Sequence, residues 1–414
     1  MRFLIVHQNF PGQYAHLARA LAAVPGNEVV FLTQRADAQI PGVRKIVYRA
    51  ARGVSPRQHH YLRGLEAGVL NAQAVARAAL ELRQSGFVPD LMLGHNGWGE
   101  IWYLKDIFPS VPLIGYFEFF YSASGADVGF DPEVPVTLDT PLRLRTRNLG
   151  NLMGLEACDA GQCPTLWQKS RYPAVHQRKL EVLHEGIDTG KACPDPMARL
   201  VWPSARTASV RPVDLRAGEE IVTYVTRNLE PYRGFPGFMR SLPEALRRRP
   251  EAQVVIVGGD EVSYGSAPPG GKTFRELMLA ELGDALDLNR VHFLGRVPYP
   301  VFLRVLQVSR IHVYLTYPFV LSWSMLEAMA AGCLLVASDT APVRELIEDG
   351  KNGLLVDFFD ATQLAHRLAD VLSRNKGMYS MRQQARQTIV DHYDLHTICL
   401  PGLLKFFAKT RNDC

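Results

Sequence analysis

Short, nearly continuous apolar runs alternate with longer amphipathic stretches through most of the chain. Residues 2–6, 29–33, 91–94 and 113–116 are rich in Val, Ile, Leu and Phe and lack a polar alternation, the pattern of strands buried on both faces. Residues 14–23 and 61–85 instead space their apolar positions for a helix, and Pro89-Asp90 stands beyond the second as a stop. Residues 7–13 make a tight loop between the first strand and the first helix, so the chain opens as a βαβ unit. Residues 158–163 read as a further strand, and 164–168 as the start of a helix.

The alternation resumes after residue 220. Strands are predicted at 221–225, 254–257, 291–294, 311–315 and 334–337, and helices at 237–249, 274–282, 299–308, 361–372 and 381–392. A last helix, 395–409, is expected to break near Pro401. Another helix starts at Ser322 or Ser324 and stops at Gly332. Between the halves, 189–219 holds four prolines and no clear period, and reads as a linker with irregular structure. Strands that alternate with helices imply parallel sheets. A chain of 414 residues suits two domains of about 200.

Composition narrows the class. The chain is 47% hydrophobic and 21% charged, enough to bury a sizeable core. It has no run of eighteen apolar residues and no basic-then-apolar leader, so neither a membrane span nor a signal peptide is expected. The six cysteines are scattered without paired ligand spacing and read as free thiols of a reducing cytoplasm. A net charge of +5 suits an anionic small substrate or peripheral contact with an anionic membrane face, and is too weak to argue for nucleic acid.

Several strand ends carry candidate chemistry. In an open α/β sheet the carboxyl ends of the strands hold the ligand. His95 stands there, before Asn-Gly-Trp98-Gly-Glu100, and is either a structural histidine or one that faces a ligand. Glu118 lies in the aromatic run Tyr116–Tyr121; it is either a solvated strand-end acid or a carboxyl whose pKa an apolar pocket raises. Arg227 and Arg233, the latter followed by Gly234, lie on the loop after the strand 221–225. They are exposed loop arginines or two guanidinium groups converging on a diphosphate. Glu327 stands three residues after Ser324, where it would close a capping box or point a carboxylate over a helix N-terminus that faces phosphate. Gly12 belongs to a loop without the G-x-G-x-x-G fingerprint and can be an ordinary turn glycine. Arg143, Arg145 and Arg147 read as a solvated helix face. The chain contains no Asp-x-Asp metal motif.

The stretch 316–338 resembles the nucleotide-binding motif of retaining glycosyltransferases of family 4, with the GT-B fold. That motif is a Glu, seven residues, then a second Glu followed by Ala-Met-Ala-x-Gly. Glu327–Gly332 matches its second half, and Phe319 occupies the place of the first Glu. The resemblance implies that Glu327 holds the ribose hydroxyls, and Phe319 removes the carboxylate the family sets near the donor sugar. The segment Arg227 to Gly234 resembles the family's Gly-Arg-Leu…Glu-Lys-Gly loop, with Arg233 for Lys and one residue of extra spacing. His184 to Asp188 resembles the segment that ends the N-terminal domain, with Glu185 where Asn is common. Phe293-Leu-Gly295-Arg296 resembles a segment whose backbone holds the base, and 350–356 resembles a Gly-x-x-Gly-x-Leu-Val run. By the same resemblance Gly12 lies against donor and acceptor, and His95 lies beside the reacting sugar.

What the resemblance implies is an α/β, GT-B protein: two Rossmann-like, doubly wound domains facing a cleft. Residues 1–200 would bind the acceptor and 201–392 the nucleotide sugar, with 393–414 crossing back onto the first domain. It implies a retaining, metal-independent, cytoplasmic hexosyltransferase that needs no separate cofactor. A UDP- or GDP-sugar would be the donor, and a glycan, lipid-linked or small molecule the acceptor. The catalytic candidates are His95, Glu118, Arg227 and Arg233. The donor-binding candidates are Gly12, Arg227, Arg233, Gly258, Arg296, Phe319, Ser322, Ser324 and Glu327. The alternatives are a GT-B sugar-nucleotide epimerase and a catalytically silent sugar-nucleotide binder, which Phe319 favours. A glycan phosphorylase would need a pyridoxal-phosphate lysine, and no lysine stands in a recognisable context.

Overall fold

A computed structural model describes residues 1–203, 213–374 and 378–413. Part of the expected linker, 204–212, and Cys414 lie outside the described residues. The chain divides into two compact units, Met1–Gly186 with Leu395–Cys414, and Ile187–Asp394.

The first unit is built on a sheet of seven strands: β1 Arg2–Val6, β2 Glu28–Thr33, β3 Val43–Val47, β4 Leu91–His95, β5 Leu113–Tyr116, β6 Ala160–Cys163 and β7 Leu180–Val182. Their order is β3-β2-β1-β4-β5-β6-β7, with every neighbouring pair parallel. β1 lies between β2 and β4, with Leu4 beside both Val30 and Met92. The winding reverses there, which opens a crevice at the carboxyl ends of β1 and β4. Successive side chains along a strand face opposite ways. Leu4 and Val6 therefore join Val30, Leu32 and Val75 in one core, while Phe3 and Ile5 join Leu17, Leu21 and Phe31 in the other. Both faces being buried is the reason the strands show no polar alternation. β3 escapes the pattern reading because Arg44 and Lys45 interrupt its apolar run; it is an edge strand, where charge is tolerated.

The helix Leu400–Asp413 also belongs to this unit. Leu403 and Phe407, one turn apart, pack with Phe3, Ile5 and Leu17. The expected interruption at Pro401 is not seen. Pro401 sits in the first turn, where its missing N–H leaves no bond unmade, and the irregularity falls earlier, as the π-helical turn Leu395–Cys399.

The second unit opens with an antiparallel pair, β8 Arg199–Trp202 and β9 Val213–Arg216. The sequence reads here as linker with irregular structure. Leu200 pairs with Leu215, both buried in the core of the second unit, so the division falls at Gly186 rather than near residue 200. The main sheet has β10 Ile221–Asn228, β11 Gln253–Gly259, β12 Val291–Gly295, β13 Ile311–Tyr314, β14 Leu334–Ser338 and β15 Leu354–Val356. Their order is β12-β11-β10-β13-β14-β15, all parallel. β10 stands between β11 and β13 as β1 does between β2 and β4, which gives a second switch point. β10 outruns its predicted end, so Arg227 lies within the strand and not on the loop after it.

Candidate functional site

At the first switch point two buried histidines meet. His7 follows β1 and His95 ends β4; each is 1% exposed, and their rings are 5.1 Å apart. Trp98 and Tyr116 flank His95, at 4.5 and 4.9 Å between ring centres. The backbone fixes both tautomers. The N–H of Asn9 donates to His7 Nδ1 at 2.9 Å, so His7 carries its proton on Nε2 and donates it to Gln13 Oε1 at 2.7 Å. The N–H of Gly97 donates to His95 Nδ1, also at 2.9 Å, which leaves the His95 proton on Nε2. That Nε2 is buried and has no hydrogen-bond partner among the described residues. Burial lowers His7 to about 4, and burial together with His7 holds His95 well below the usual imidazole range. His95 is thus a neutral N–H donor with unspent capacity.

Gly12 serves this pair. It has φ of +52°, and an added Cβ would lie 2.6 Å from His7 Nε2, so only glycine lets the loop lie on the imidazole. The buried acid of this end is Glu100, which sequence reasoning passed over. Glu100 is fully buried, accepts a 2.8 Å bond from Tyr48 Oη, and is pushed up to about 7 by burial. Its Oε2 has no partner among the described residues. Glu118, the acid singled out in the sequence, is only half-buried. Tyr48 lies just beyond edge strand β3, far away in the chain, so nothing local to Glu100 announces the pairing.

At the second switch point the dominant group is Arg233. Gly234, with φ of +69°, starts the helix Phe235–Arg248, and a Cβ there would lie 2.4 Å from that of Leu315. This close approach tucks the preceding turn under β13. The Arg233 guanidinium, in a residue 7% exposed, donates to Tyr314 Oη at 3.1 Å and Thr316 Oγ1 at 2.8 Å, and lies 5.4 Å from the Tyr264 ring centre. All three partners are neutral. Glu230 acts on Arg233 through space only; its carboxylate accepts the backbone N–H groups of Ser263 and Tyr264, each at 3.0 Å, and so holds Tyr264 in place.

Tyr314 connects this cation to the central helix, Trp323–Ala330. Its hydroxyl accepts the N–H of Ser322 at 2.8 Å, and Ser322 is the cap, its side chain accepting from the N–H of Ser324 at 3.3 Å. Ser324 is therefore inside the helix, and Glu327 closes no capping box with it. The half-buried Glu327 instead accepts a 2.7 Å bond from Tyr299 Oη, and burial pushes its carboxyl up to about 7. Phe319 packs edge-on to Tyr264 at 5.0 Å and Tyr232 at 5.7 Å, so the place of the first motif Glu is filled by an aromatic cluster. Arg296 pairs with Glu261 Oε2 at 2.5 Å and donates to Asn228 at 3.1 Å. Gly258 is buried in β11, where a Cβ would come 2.8 Å from Leu229. Arg227 is exposed, and its guanidinium makes no hydrogen bond or ion pair among the described residues. Structure thus joins Arg233, Ser322 and Ser324 through Tyr314 and keeps Arg227 apart from that network. Tyr314, Thr316, Tyr264 and Tyr299 escaped the sequence reading because hydroxyls in apolar strands and loops carry no spacing signal.

Among the described residues no group of three or more His, Cys, Asp or Glu side chains is placed to hold a metal ion. No helix among them is long and apolar enough to cross a membrane. The described cysteines are all free thiols.

Two units, each with a doubly wound parallel sheet and polar groups at its switch point, define a GT-B type of protein. Comparison with known proteins gives the family. The model described as "Glycosyl transferase family 4 group" matches residues 25–192, and "Glycosyl transferases group 1" matches 206–388. Between them they span most of the chain, which belongs to the GT-B glycosyltransferases of family 4. A D-inositol 3-phosphate glycosyltransferase of Mycolicibacterium vanbaalenii is 25% identical over 79% of this chain and 66% of its own length. A GDP-mannose-dependent alpha-(1-6)-phosphatidylinositol monomannoside mannosyltransferase of Mycolicibacterium smegmatis is 26% identical over 67% of this chain and 66% of its own length. The chain spans at most about two thirds of the length of these curated relatives. Among solved structures, sucrose-phosphate synthase from Thermosynechococcus elongatus superposes with TM-score 0.69 and 16% identity over 100% of both chains. HepE of Anabaena, in complex with UDP and glucose, gives 0.66 and 16% over 99% of this chain and 100% of that one. At such identities the likeness is one of fold.

Proposed function

We propose that the protein transfers a sugar, with retention at the anomeric carbon, from a UDP- or GDP-sugar to a glycan, lipid-linked or small-molecule acceptor. The observation that carries this reading is the Arg233 guanidinium, buried against two hydroxyls and an aromatic ring, without a hydrogen-bonded carboxylate among the described residues. A buried charge is costly unless paired, and a nucleotide diphosphate at the switch point would pair it. The name of one relative specifies GDP-mannose, which supports a nucleotide-sugar donor.

In this reading Arg233, with the unengaged Arg227 near the end of β10, the strand that precedes its turn, neutralises the charge that builds on the departing diphosphate. Each such contact contributes about 2–4 kcal/mol in the transition state. Two arginines in that role, and a sequence without Asp-x-Asp, support transfer that needs no divalent metal. Glu327, steered by Tyr299, accepts the ribose hydroxyls. His95 Nε2–H donates to a sugar hydroxyl, because a neutral imidazole with its far nitrogen already engaged has that one bond to give.

One observation favours a second reading. Phe319 is built into an aromatic cluster where a carboxylate stands in the motif, as expected of a silent sugar-nucleotide binder. The test is to incubate the protein in EDTA with UDP- and GDP-sugars and follow release of the nucleoside diphosphate, with the product anomer read by NMR. Release in EDTA with retained configuration is expected. Nucleotide binding without release from any donor selects the silent reading, and release that requires added Mg²⁺ or Mn²⁺ overturns metal independence.

A further inference from the structure

We propose that Glu230 holds the sugar of the donor, its Oε1 accepting a hydrogen bond from a sugar hydroxyl. The inference rests on the sugar-transfer reading and adds a contact to that same site. Glu230 stands just beyond the end of β10, at the second switch point. Pro231 keeps it extended, at φ of −143° and ψ of 160°, and the turn Pro231–Arg233 follows. The residue is 1% exposed. Its two carboxylate oxygens differ. Oε2 accepts the N–H groups of Ser263 and Tyr264, each at 3.0 Å. Oε1 is buried as well, yet it has no hydrogen-bond partner among the described residues. Burial raises the carboxyl, and the two N–H groups and the charge of Arg233 act against burial. A buried carboxylate oxygen without a donor is costly. A ligand that brings a donor to Oε1 gains the bond the fold leaves unmade.

The contacts run in one series. Glu327, given to the ribose, lies one turn into the helix that Ser322 caps. Ser322 meets Tyr314, Tyr314 meets Arg233, Arg233 meets the Tyr264 ring, and Glu230 holds the Tyr264 N–H. A nucleotide sugar is built in the same order, as ribose, diphosphate and sugar. With the ribose at Glu327 and the diphosphate at Arg233, the sugar comes next, at Tyr264 and Glu230. The chemistry of the ligand agrees. A diphosphate offers acceptors alone and repels a carboxylate, and the ribose hydroxyls are already bound. The hydroxyls of the sugar remain as donors for Oε1. Half-buried Tyr232 and Tyr264 and buried Phe319 stand around this point, their ring centres 5.0 to 6.0 Å apart. Apolar walls with one placed polar group are what fixes the orientation of a small ligand. Glu230 thereby does from the end of β10 what Phe319 cannot do from the loop after β13.

The experiment is calorimetric titration at pH 8, without acceptor, of UDP, GDP, UDP-glucose, UDP-N-acetylglucosamine and GDP-mannose into the parent and Glu230→Gln. The amide oxygen of Gln can still accept the two N–H groups, so the loop stays anchored while Oε1 gives way to an uncharged N–H donor. For the nucleotide sugar the parent binds tightest, the variant should lose affinity about tenfold. Affinity for the matching nucleoside diphosphate should hold or rise, because that ligand meets the carboxylate only as repulsion. Singly deoxygenated analogues of the same nucleotide sugar give a second measurement. The analogue without the bonded hydroxyl should bind the parent about tenfold more weakly, and Glu230→Gln with about twofold loss or less. If the variant melts early, the analogues on the parent decide alone. Equal losses for nucleotide sugar and bare diphosphate, or analogues that all bind the parent as the full sugar does, overturn the proposal and leave the sugar-transfer reading in place. So does a parent that binds the diphosphates and none of the three sugars. A parent that binds neither UDP nor GDP in any form removes the sugar-transfer reading, and this proposal with it.

Discussion

At the carboxyl ends of β1 and β4 the buried polar groups are shifted toward their neutral forms. His7 is lowered to about 4, His95 is held neutral, and Glu100 is pushed up to about 7. At the ends of β10 and β13, in a sheet that reverses its winding in the same way, Arg233 stays cationic although it too is buried. The difference lies in what each side chain can surrender. Imidazole and carboxyl shed charge by moving one proton near neutral pH, whereas a guanidinium cannot. One crevice thus holds neutral imidazoles and a carboxyl poised near neutrality, suited to hydroxyls, and the other a fixed charge suited to an anion. Topology decides where a crevice lies; the titration chemistry of a few residues decides what it will accept.

The largest expected break of this contrast is Arg233→Met. It should lower affinity for UDP or GDP about a hundredfold, while the melting temperature without nucleotide changes little, because the substitution removes a buried charge that only Glu230 offsets, through space. Calorimetric titration and a thermal scan on one preparation check it. A variant that loses stability and keeps its nucleotide affinity would make Arg233 structural.

Next comes Glu100. Its folded pKa, about 7, lies above the ordinary carboxyl value of 4.5, so the neutral form stabilises the fold. That stability is whole below pH 4.5 and is lost as pH rises through 7, by up to about 3 kcal/mol. In Glu100→Gln the loss should largely vanish, and denaturant melts at pH 5 and pH 8 show whether the parent alone weakens.

Glu327 sharpens the other side. Its carboxyl also titrates near 7, and ribose hydroxyls prefer the carboxylate. Affinity for free uridine or guanosine, which carry no titrating phosphate, should rise several-fold from pH 6 to pH 8. Glu327→Gln should flatten that profile and cost about 1.5–3 kcal/mol of binding at pH 8. Tyr299→Phe should retain the slope with a shifted midpoint. A flat profile in the parent would remove Glu327 from the ribose.

The smallest effect is an absence of change. The imidazole signals of His7 and His95 should stay neutral from pH 8 down to pH 5 in an NMR titration. Protonation of His95 in that range would return charge to the first crevice and erase the contrast.

Most of the architecture was legible along the chain. Every predicted strand of the two sheets exists, because strands buried on both faces leave unbroken apolar runs that need no knowledge of their neighbours. The candidate site was legible only where its residues sit in one local motif. Glu327, Arg233 and Ser322 stand out as candidates in the sequence because strand, turn and helix start are consecutive. What failed had long-range causes. Leu200 reads as linker until Leu215 lies opposite it, and Glu100 reads as the end of a loop until Tyr48 arrives from β3.

The sequence by itself determined the alternation of strand and helix, the two-unit plan, and the residue types at the strand ends, because periodicity and turn chemistry act within a few residues. Only the tertiary structure decided which of those residues are buried, which nitrogen of His95 holds the proton, that Ser322 rather than Ser324 caps the central helix, and that Arg233 meets hydroxyls instead of a carboxylate. These depend on desolvation and on partners tens of residues away, and both exist only once the sheets have closed.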